Sequence, residues 1–432
     1  GRLDEAEDWY RQSLTIKEDL NNRPGMASTY HELGVVAQER GRLDEAEDWY
    51  RQSLTISEDL NNRPVMAITY HQLGNVANLR GRLEEAEDWY RQSLTIKKDL
   101  GDRPGMAITY HQLGNVAQER GRLDEAEDWY RQSLTIKEDL NNRPGMASTY
   151  HQLGNVAQKR GQLDEAEDWY RQSLTISEDL NNRPVMASTY HQLGNVACLR
   201  GRLEEAEDWY RQSLTISEDL NNRPGMAITY NQLGNVAQER GRLEEAEDWY
   251  RQSLTIKEDL NNRPAMAPTY HQLGMIVQER GRLEEAEHLY RQSLTIDEDL
   301  GDRPGMASTY HQLGNVAQER GRLEEAEDWY RQSLTISEDL NNRPFMASTY
   351  RQLGLLAEAR QQTEEALEWT VRWVALFDQF PHPATGPGPG HLKRLTRMLG
   401  IAALEQTWQA VTGNCLPPAV RHHVITDPST AV

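Results

Sequence analysis

One stretch, MAITYHQLGNVAQERGRLDEAEDWYRQSLTI from Met106 to Ile136, returns every forty residues along nearly all of a 432-residue chain. Aligned at Gly1, Gly41, Gly81 and onward to Gly321, it gives nine copies. A period of that length replaces the usual expectation of several globular domains, because like units stack into one elongated body. Each copy carries two helical patterns. Met106, Tyr110, Leu113 and Ala117 line one face of a first helix, and Leu123, Ala126, Tyr130, Leu134 and Leu140 line one face of a second. Gly121 reads as the stop between them. Asp124 followed by Glu127 reads as a capping box for the second helix, and its acidic first turn suits the helix dipole. Pro144 ends the return loop and opens the next copy.

Energetics require the copies to stack. One copy buries about six apolar side chains at roughly 1.5–3 kcal/mol each, while ordering its backbone costs about 1–2 kcal/mol per residue. A lone copy is therefore unfolded. Gly114 lies mid-helix, where it costs roughly 1 kcal/mol relative to Ala, so it is expected to admit a close neighbour, with small Ala126 opposite. The fold class is all-α: a solenoid of antiparallel helix pairs.

The spacing Tyr110-x-x-Leu113-Gly114, Gly121-x-Leu123-x-x-Ala126 and Tyr130 resembles the signature of the tetratricopeptide repeat (TPR). That family's period is usually about thirty-four residues. The longer unit is similar to kinesin light chain repeats and to spindle-orientation adaptor repeats, whose loops also read like Leu100-Gly101-Asp102-Arg103. Similar long repeats follow nucleotide-binding modules in bacterial regulatory proteins. The resemblance implies a right-handed superhelical solenoid whose first helix of each pair, helix A, lines the concave side. In these terms residues 1–20 are an orphan helix B of a truncated repeat and 21–380 are nine A/B pairs. Residues 381–390 (PHPATGPGPG) are a Pro/Gly linker. Residues 391–432 hold capping helices, carrying Leu392, Leu395, Leu399, Ile401, Leu404 and Trp408, and a loosely ordered tail from Pro417. A start inside a repeat suggests a fragment of something longer.

Composition excludes several function classes. The formal charge of −21 argues against nucleic acid, which requires clustered Lys and Arg. No apolar run is long enough to span a membrane. The two cysteines, Cys198 and Cys415, exclude a disulfide framework and point to a reducing, cytoplasmic compartment. There is no phosphate-binding loop, and His31-Glu32 lacks the second His of a zinc-protease motif. His422-His423 has no companion ligands, and Cys198 has no local base. The chain is expected to be no enzyme and to need no cofactor or metal.

What remains is a surface. Opposite the packing face of helix A runs the stripe Ile108, His111, Asn115, Gln118 and Glu119. Tyr110, Leu113 and Gly114 are the same in all nine copies, whereas the stripe varies. The Ile108 site holds Ser, Ile or Pro268; the Asn115 site includes Val35, Met275 and Leu355; the Gln118 site includes Asn78, Cys198 and Glu358. The Gly105 site varies too, with Val65, Val185, Ala265 and Phe345. Tuning of a binding groove is one reading. Drift of exposed sites is the other, favoured by the Lys, Ser and Asp that share the Lys137 site outside the stripe.

The expected partner-binding residues are Ile68, His71, Asn75, Asn78, Ile108, His111, Asn115, Gln118, His151, Asn155 and Gln158. With them go His191, Asn195, Ile228, Asn231, Asn235, His271, Met275, His311, Asn315 and Arg351. The Asn series would offer a ladder of amides to an extended peptide backbone. Chaperone-binding TPRs clamp a carboxylate with Lys and Arg beside such an Asn; here His stands in their place. Histidines that charge below about pH 6.5 would favour acidic partners. Two functions follow: a scaffold binding a protein or extended peptide, or the ligand-sensing arm of a larger bacterial signalling or defence regulator. In the second, the repeats contact an N-terminal domain lying outside this sequence.

Overall fold

A computed structural model describes residues 1–426. Its first compact unit, Gly1–Asn221, begins with α1 (Arg2–Asp19), α2 (Arg23–Glu39), α3 (Leu43–Asp59), α4 (Arg63–Leu79), α5 (Leu83–Leu100) and α6 (Arg103–Glu119). It continues with α7 (Leu123–Asp139), α8 (Arg143–Lys159), α9 (Leu163–Asp179), α10 (Arg183–Leu199) and α11 (Leu203–Asp219). The second unit runs from Asn222 and holds α12 (Arg223–Glu239), α13 (Leu243–Asp259), α14 (Arg263–Glu279), α15 (Leu283–Leu300), α16 (Arg303–Glu319), α17 (Leu323–Asp339) and α18 (Arg343–Ala359). It ends with α19 (Thr363–Val374), α20 (Gly388–Leu399), α21 (Ile401–Thr412) and α22 (Pro418–Ile425). Even-numbered helices from α2 to α18 are the A helices, and the odd-numbered ones are the B helices. Within each unit they form a solenoid of antiparallel pairs.

Local chemistry sets the helix ends. The A-to-B turn passes through a left-handed residue, Gly121 at φ 72°. The return loop uses Asn141 at φ 49° in the same role, or Gly101 at φ 67° where the loop reads Gly-Asp. Asn142 then caps α8 by accepting from the Gly145 amide at 3.0 Å, with Pro144 in the first turn. The B helix has no side-chain cap: its N-cap is Arg122. Asp124 and Glu127 instead reach Arg160 of the following copy. Those acids tie copies together rather than forming a capping box.

Gly114 admits an aromatic ring, not Ala126. A methyl group there would lie 2.5 Å from Cε1 of Tyr130, a ring with no exposed surface. The Tyr110 ring stacks on Trp129 at 5.5 Å, and Ser133 Oγ donates to the Ala107 carbonyl at 2.7 Å. The same trio recurs from copy to copy. Successive A helices touch (α2 with α4, α8 with α10, α14 with α16) more closely than successive B helices do. Within each unit the A helices therefore form the shorter, inner side.

The last B helix departs from the expected span. α19 ends at Val374 rather than near Phe380, and α20 starts at Gly388, inside the segment read as a linker. The residues after Pro417 are helical through Ile425, with Val420 and Val424 buried against Leu367, Val371, Leu392, Leu395, Leu404 and Trp408. The apolar spacing of α22 is too short to register as a helix in sequence; the cap core recruits it. The rest of that tail, 427–432, lies outside the described residues. Gln361 replaces the turn glycine yet keeps φ at 63°. Gln361→Gly is expected to stabilise the last pair by about 1 kcal/mol, read as a rise in thermal midpoint.

Candidate functional site

The inner face of the A helices is more internally bonded than the sequence suggests. Ile68, Ile108 and Ile228 do project into solvent, each about half exposed at 50%, 53% and 52%. The histidines do not. His71 Nδ1 lies 3.3 Å from Thr109 Oγ1 of the next copy, and its ring packs on Tyr90 at 5.2 Å. His111, His151, His271 and His311 repeat the contact with Thr149, Thr189, Thr309 and Thr349 at 3.1–3.3 Å. His191 packs likewise on Tyr210.

Burial pulls the imidazoles below their ordinary value of 6.5. His71 and His111 fall to about 3, each lowered further by a nearby lysine, and His151, His191, His271 and His311 fall to about 4. They stay neutral at pH 6.5, so the expected charging of a histidine ladder does not occur there. Asn231 replaces the histidine in one copy and accepts from Thr269 Oγ1 at 3.0 Å and Lys257 Nζ at 3.2 Å. Arg351 is exposed.

The asparagines likewise serve the framework. Asn75 Oδ1 accepts from Tyr90 OH at 2.7 Å and from Gln112 Nε2 at 3.4 Å, while its Nδ2 donates to Gln72 at 2.6 Å. Asn115, Asn155, Asn195, Asn235 and Asn315 accept from Tyr130, Tyr170, Tyr210, Tyr250 and Tyr330 at 2.6–2.8 Å. One N–H of each amide is left over from the intrahelical Gln contact. Gln118 and Gln158 Oε1 lie 3.2 and 2.9 Å from the same tyrosine hydroxyls, sharing their single proton. Asn78, one methylene shorter, leaves its buried Oδ1 without a partner. Met275 packs partly buried against the core.

Two residue types at this face were missed in sequence. Lys97, Lys137 and Lys257 are buried, not exposed sites of drift, and donate to Thr109, Thr149 and Thr269 at 2.6–2.8 Å. Burial lowers each from 10.5 to about 8. Asp297 occupies the same position in another copy, and burial raises it to about 6. The sequence signal was only partial: Ser57, Ser177 and Ser337 precede Val65, Val185 and Phe345, and Lys97 and Lys137 precede Gly105 and Gly145, but Ser217 precedes Gly225 and Lys257 precedes Ala265. The two sites share space, since a methyl group on Gly305 would meet the Asp297 carboxyl at 2.9 Å.

On the B-helix side, Glu87 receives Arg91 and Arg120, both at 2.7 Å, and Arg122. This cross-copy network holds its carboxyl below the usual value despite partial burial. A cleft of about 920 Å³ lies elsewhere, between α19 and α21, where Arg372 already pairs with Glu368 at 2.7 Å. Among the described residues no group of three or more His, Cys, Asp or Glu could hold a metal ion. None of their helices is long and apolar enough to cross a membrane.

A model of the MalT-like TPR region matches residues 1–172 and 58–213, and a tetratricopeptide repeat model matches 225–299 and 305–372. Among solved structures, a signal transduction ATPase with numerous domains and a tetratricopeptide repeat sensor, from Pyrococcus horikoshii, is similar at 13% identity and TM-score 0.57. The match covers 76% of this chain and 52% of that one, so this chain spans about half its length. The apo form of the quorum sensor NprR from B. thuringiensis is similar at 13% identity and TM-score 0.55, covering 78% and 98%. Apo RapI is similar at 14% identity and TM-score 0.52, covering 64% and 99%. These likenesses are of fold. No curated protein matches the chain.

Proposed function

The chain belongs to the tetratricopeptide-repeat family, and on that premise we propose that it is a non-catalytic scaffold holding a protein or extended peptide along the inner face of its A helices. The observation that carries this reading is the division of labour within each copy. Tyr110, Leu113 and Gly114 never change, while the Ile108 and Glu119 sites, both solvent-exposed, do. Ile68, Ile108 and Ile228 supply apolar contact there. The remaining amide N–H of Asn75, Asn115 and Asn155 supplies donors for a peptide carbonyl.

A second reading, the sensing arm of a larger regulator, is favoured by the likeness to the ATPase whose repeats are described as its sensor. Detection of a phosphate-binding loop upstream in the parent gene would select it.

Capture of partners by the immobilised chain tests the scaffold reading. Ile68→Asp with Ile108→Asp is expected to abolish capture. Asp128→Lys with Thr135→Lys, both exposed on the B helix, is expected to leave it intact. Capture that survives the A-face changes overturns the proposal.

A further inference from the structure

In the regular pairs, the acids that open a B helix are neutralised by the A helix that follows. Arg120, Arg280, Arg320 and Arg360 end α6, α14, α16 and α18 and donate to Glu84, Glu244, Glu284 and Glu324 at 2.9–3.2 Å. The next acid along is held as well: Glu125 meets Arg122 at 2.7 Å and Arg91 at 3.0 Å.

At α19 the arginines are gone. The hollow beside Glu84 and Glu85 is lined by Arg82 and Arg120, whereas the matching hollow beside Glu364 and Glu365 has Gln362 and Leu399 in their places. Glu365 keeps Arg331, at 3.7 Å, and among the described residues no cation pairs with Glu364. The position of Glu87, which gathers three arginines in its own copy, is taken here by Leu367. Leu367 and Val371 turn instead into the cap core with Leu404 and Trp408.

Glu364, Glu365 and Leu399 also border the cleft of about 920 Å³ between α19 and α21, so hollow and cleft form one groove. Trp369 is its aromatic wall. The indole N–H donates to Glu365 at 3.3 Å, and the guanidinium carbons of Arg331 and Arg372 lie 5.4 and 5.5 Å from the ring centre. With Leu404 and Trp408 turned into the cap core, α21 presents Ala403, Thr407, Ala410 and Val411 to the groove. The groove is acidic at one end and lined by small and apolar side chains along the α21 wall.

We propose that this groove takes a basic amphipathic helix of a partner protein, whose arginine meets Glu364 and Glu365 and whose aliphatic side chains settle over Leu399, Ala403 and Val411. Charge complementarity selects the occupant. Acids at this point of the earlier B helices bind the guanidinium at the end of a neighbouring helix, and at α19 the chain supplies none. Along α19 the groove runs from Glu364 to Arg372, about 12 Å or two turns at 1.5 Å per residue. That length matches one arginine and two aliphatic positions spaced a turn apart. The groove is built from B and cap helices, so it is separate from the inner face of the A helices and stands independently of the scaffold reading.

The test uses the whole chain and a fluorescent helix-forming peptide, acetylated and amidated, with Arg, Leu and Leu one turn apart on an Ala and Gln background. Its twin carries Gln for Arg. Fluorescence anisotropy is expected to show the Arg peptide bound about fivefold more tightly, the size that a partly exposed guanidinium–carboxylate contact gives. Glu364→Gln with Glu365→Gln keeps an acceptor for the Trp369 indole and is expected to erase that preference. Ala410→Trp fills the groove from an exposed position and is expected to weaken both peptides by roughly tenfold or more. Helical signal and thermal midpoint are expected to be unchanged in both variants. Equal binding of the two peptides by the wild type, or none, overturns the proposal, as does unchanged binding in Ala410→Trp or an undiminished preference in the double Gln variant. Two other occupants would also overturn it. Competition by acetyl-arginine amide at peptide-like affinity would assign the acids to a small cation, and dimerisation of the chain removed by Ala410→Trp would assign the groove to a second copy.

Discussion

Lowering the pH from 6.5 to 4 is expected to destabilise the protein, chiefly through its buried histidines. His71 and His111 protonate in the folded state only near 3, and His151, His191, His271 and His311 near 4, whereas in the unfolded chain they protonate near 6.5. Between those values the unfolded state binds more protons, so stability falls as pH falls. Their contribution is complete above 6.5 and is lost progressively down to the folded values, at about 1–3 kcal/mol per histidine.

Other groups act in the same direction in other windows. Glu47, Glu87, Glu127, Glu167, Glu247, Glu287 and Glu327 are held below 4.5, mostly by arginines that outweigh their burial. Their stabilisation is present above 4.5 and lost below it. Lys97, Lys137 and Lys257, lowered to about 8, add stability only as pH rises from about 8 towards 10.5. Asp297, raised to about 6, opposes the trend locally, losing its contribution as pH rises from 3.8 through 6.

Denaturant midpoints at pH 7.5, 6, 5 and 4 check this. His71→Asn with His111→Asn, the residue that Asn231 shows the position accepts, is expected to flatten the curve between 6.5 and 4. A slope unchanged by that pair would show that the histidines are not its source.

The second large effect is expected from Tyr170→Ala. This ring is fully buried, fills the space Gly154 leaves open, and shares its one hydroxyl proton between Asn155 and Gln158 at 2.8 and 2.9 Å. Truncation leaves a cavity and removes the donor that Asn155 and Gln158 share, for a loss of about 3–5 kcal/mol. Because copies are coupled through their neighbours, the damage is expected to be local, splitting one cooperative melt into two. The complementary Gly154→Ala sets a methyl group 2.5 Å from Tyr170 Cε1 and is expected to cost about 1–3 kcal/mol by overpacking. A scan of both variants by calorimetry would show the split for Tyr170→Ala; a single shifted transition would mean the copies melt as one block.

The period, the two helices of each copy and their glycine stop were legible in residue order, because helix periodicity and turn chemistry are local properties. The A-face stripe was legible as well, and Ile68, Ile108 and Ile228 do project from it. What its polar members do was not. A histidine three residues from an isoleucine looks exposed on a single helix, but the next copy brings Thr109 to His71 and Tyr90 beneath it. Asn75 looks like a peptide ladder until Tyr90 OH takes its acceptor. Lys137 looked like a drifting surface site because lysine is rarely buried, and only the stacking of α7 against α8 encloses it. Sequence alone determined the unit and its repetition, since both depend on neighbours along the chain. Tertiary structure decided which polar groups remain free, since hydrogen-bond partners and desolvation come from the adjoining copy.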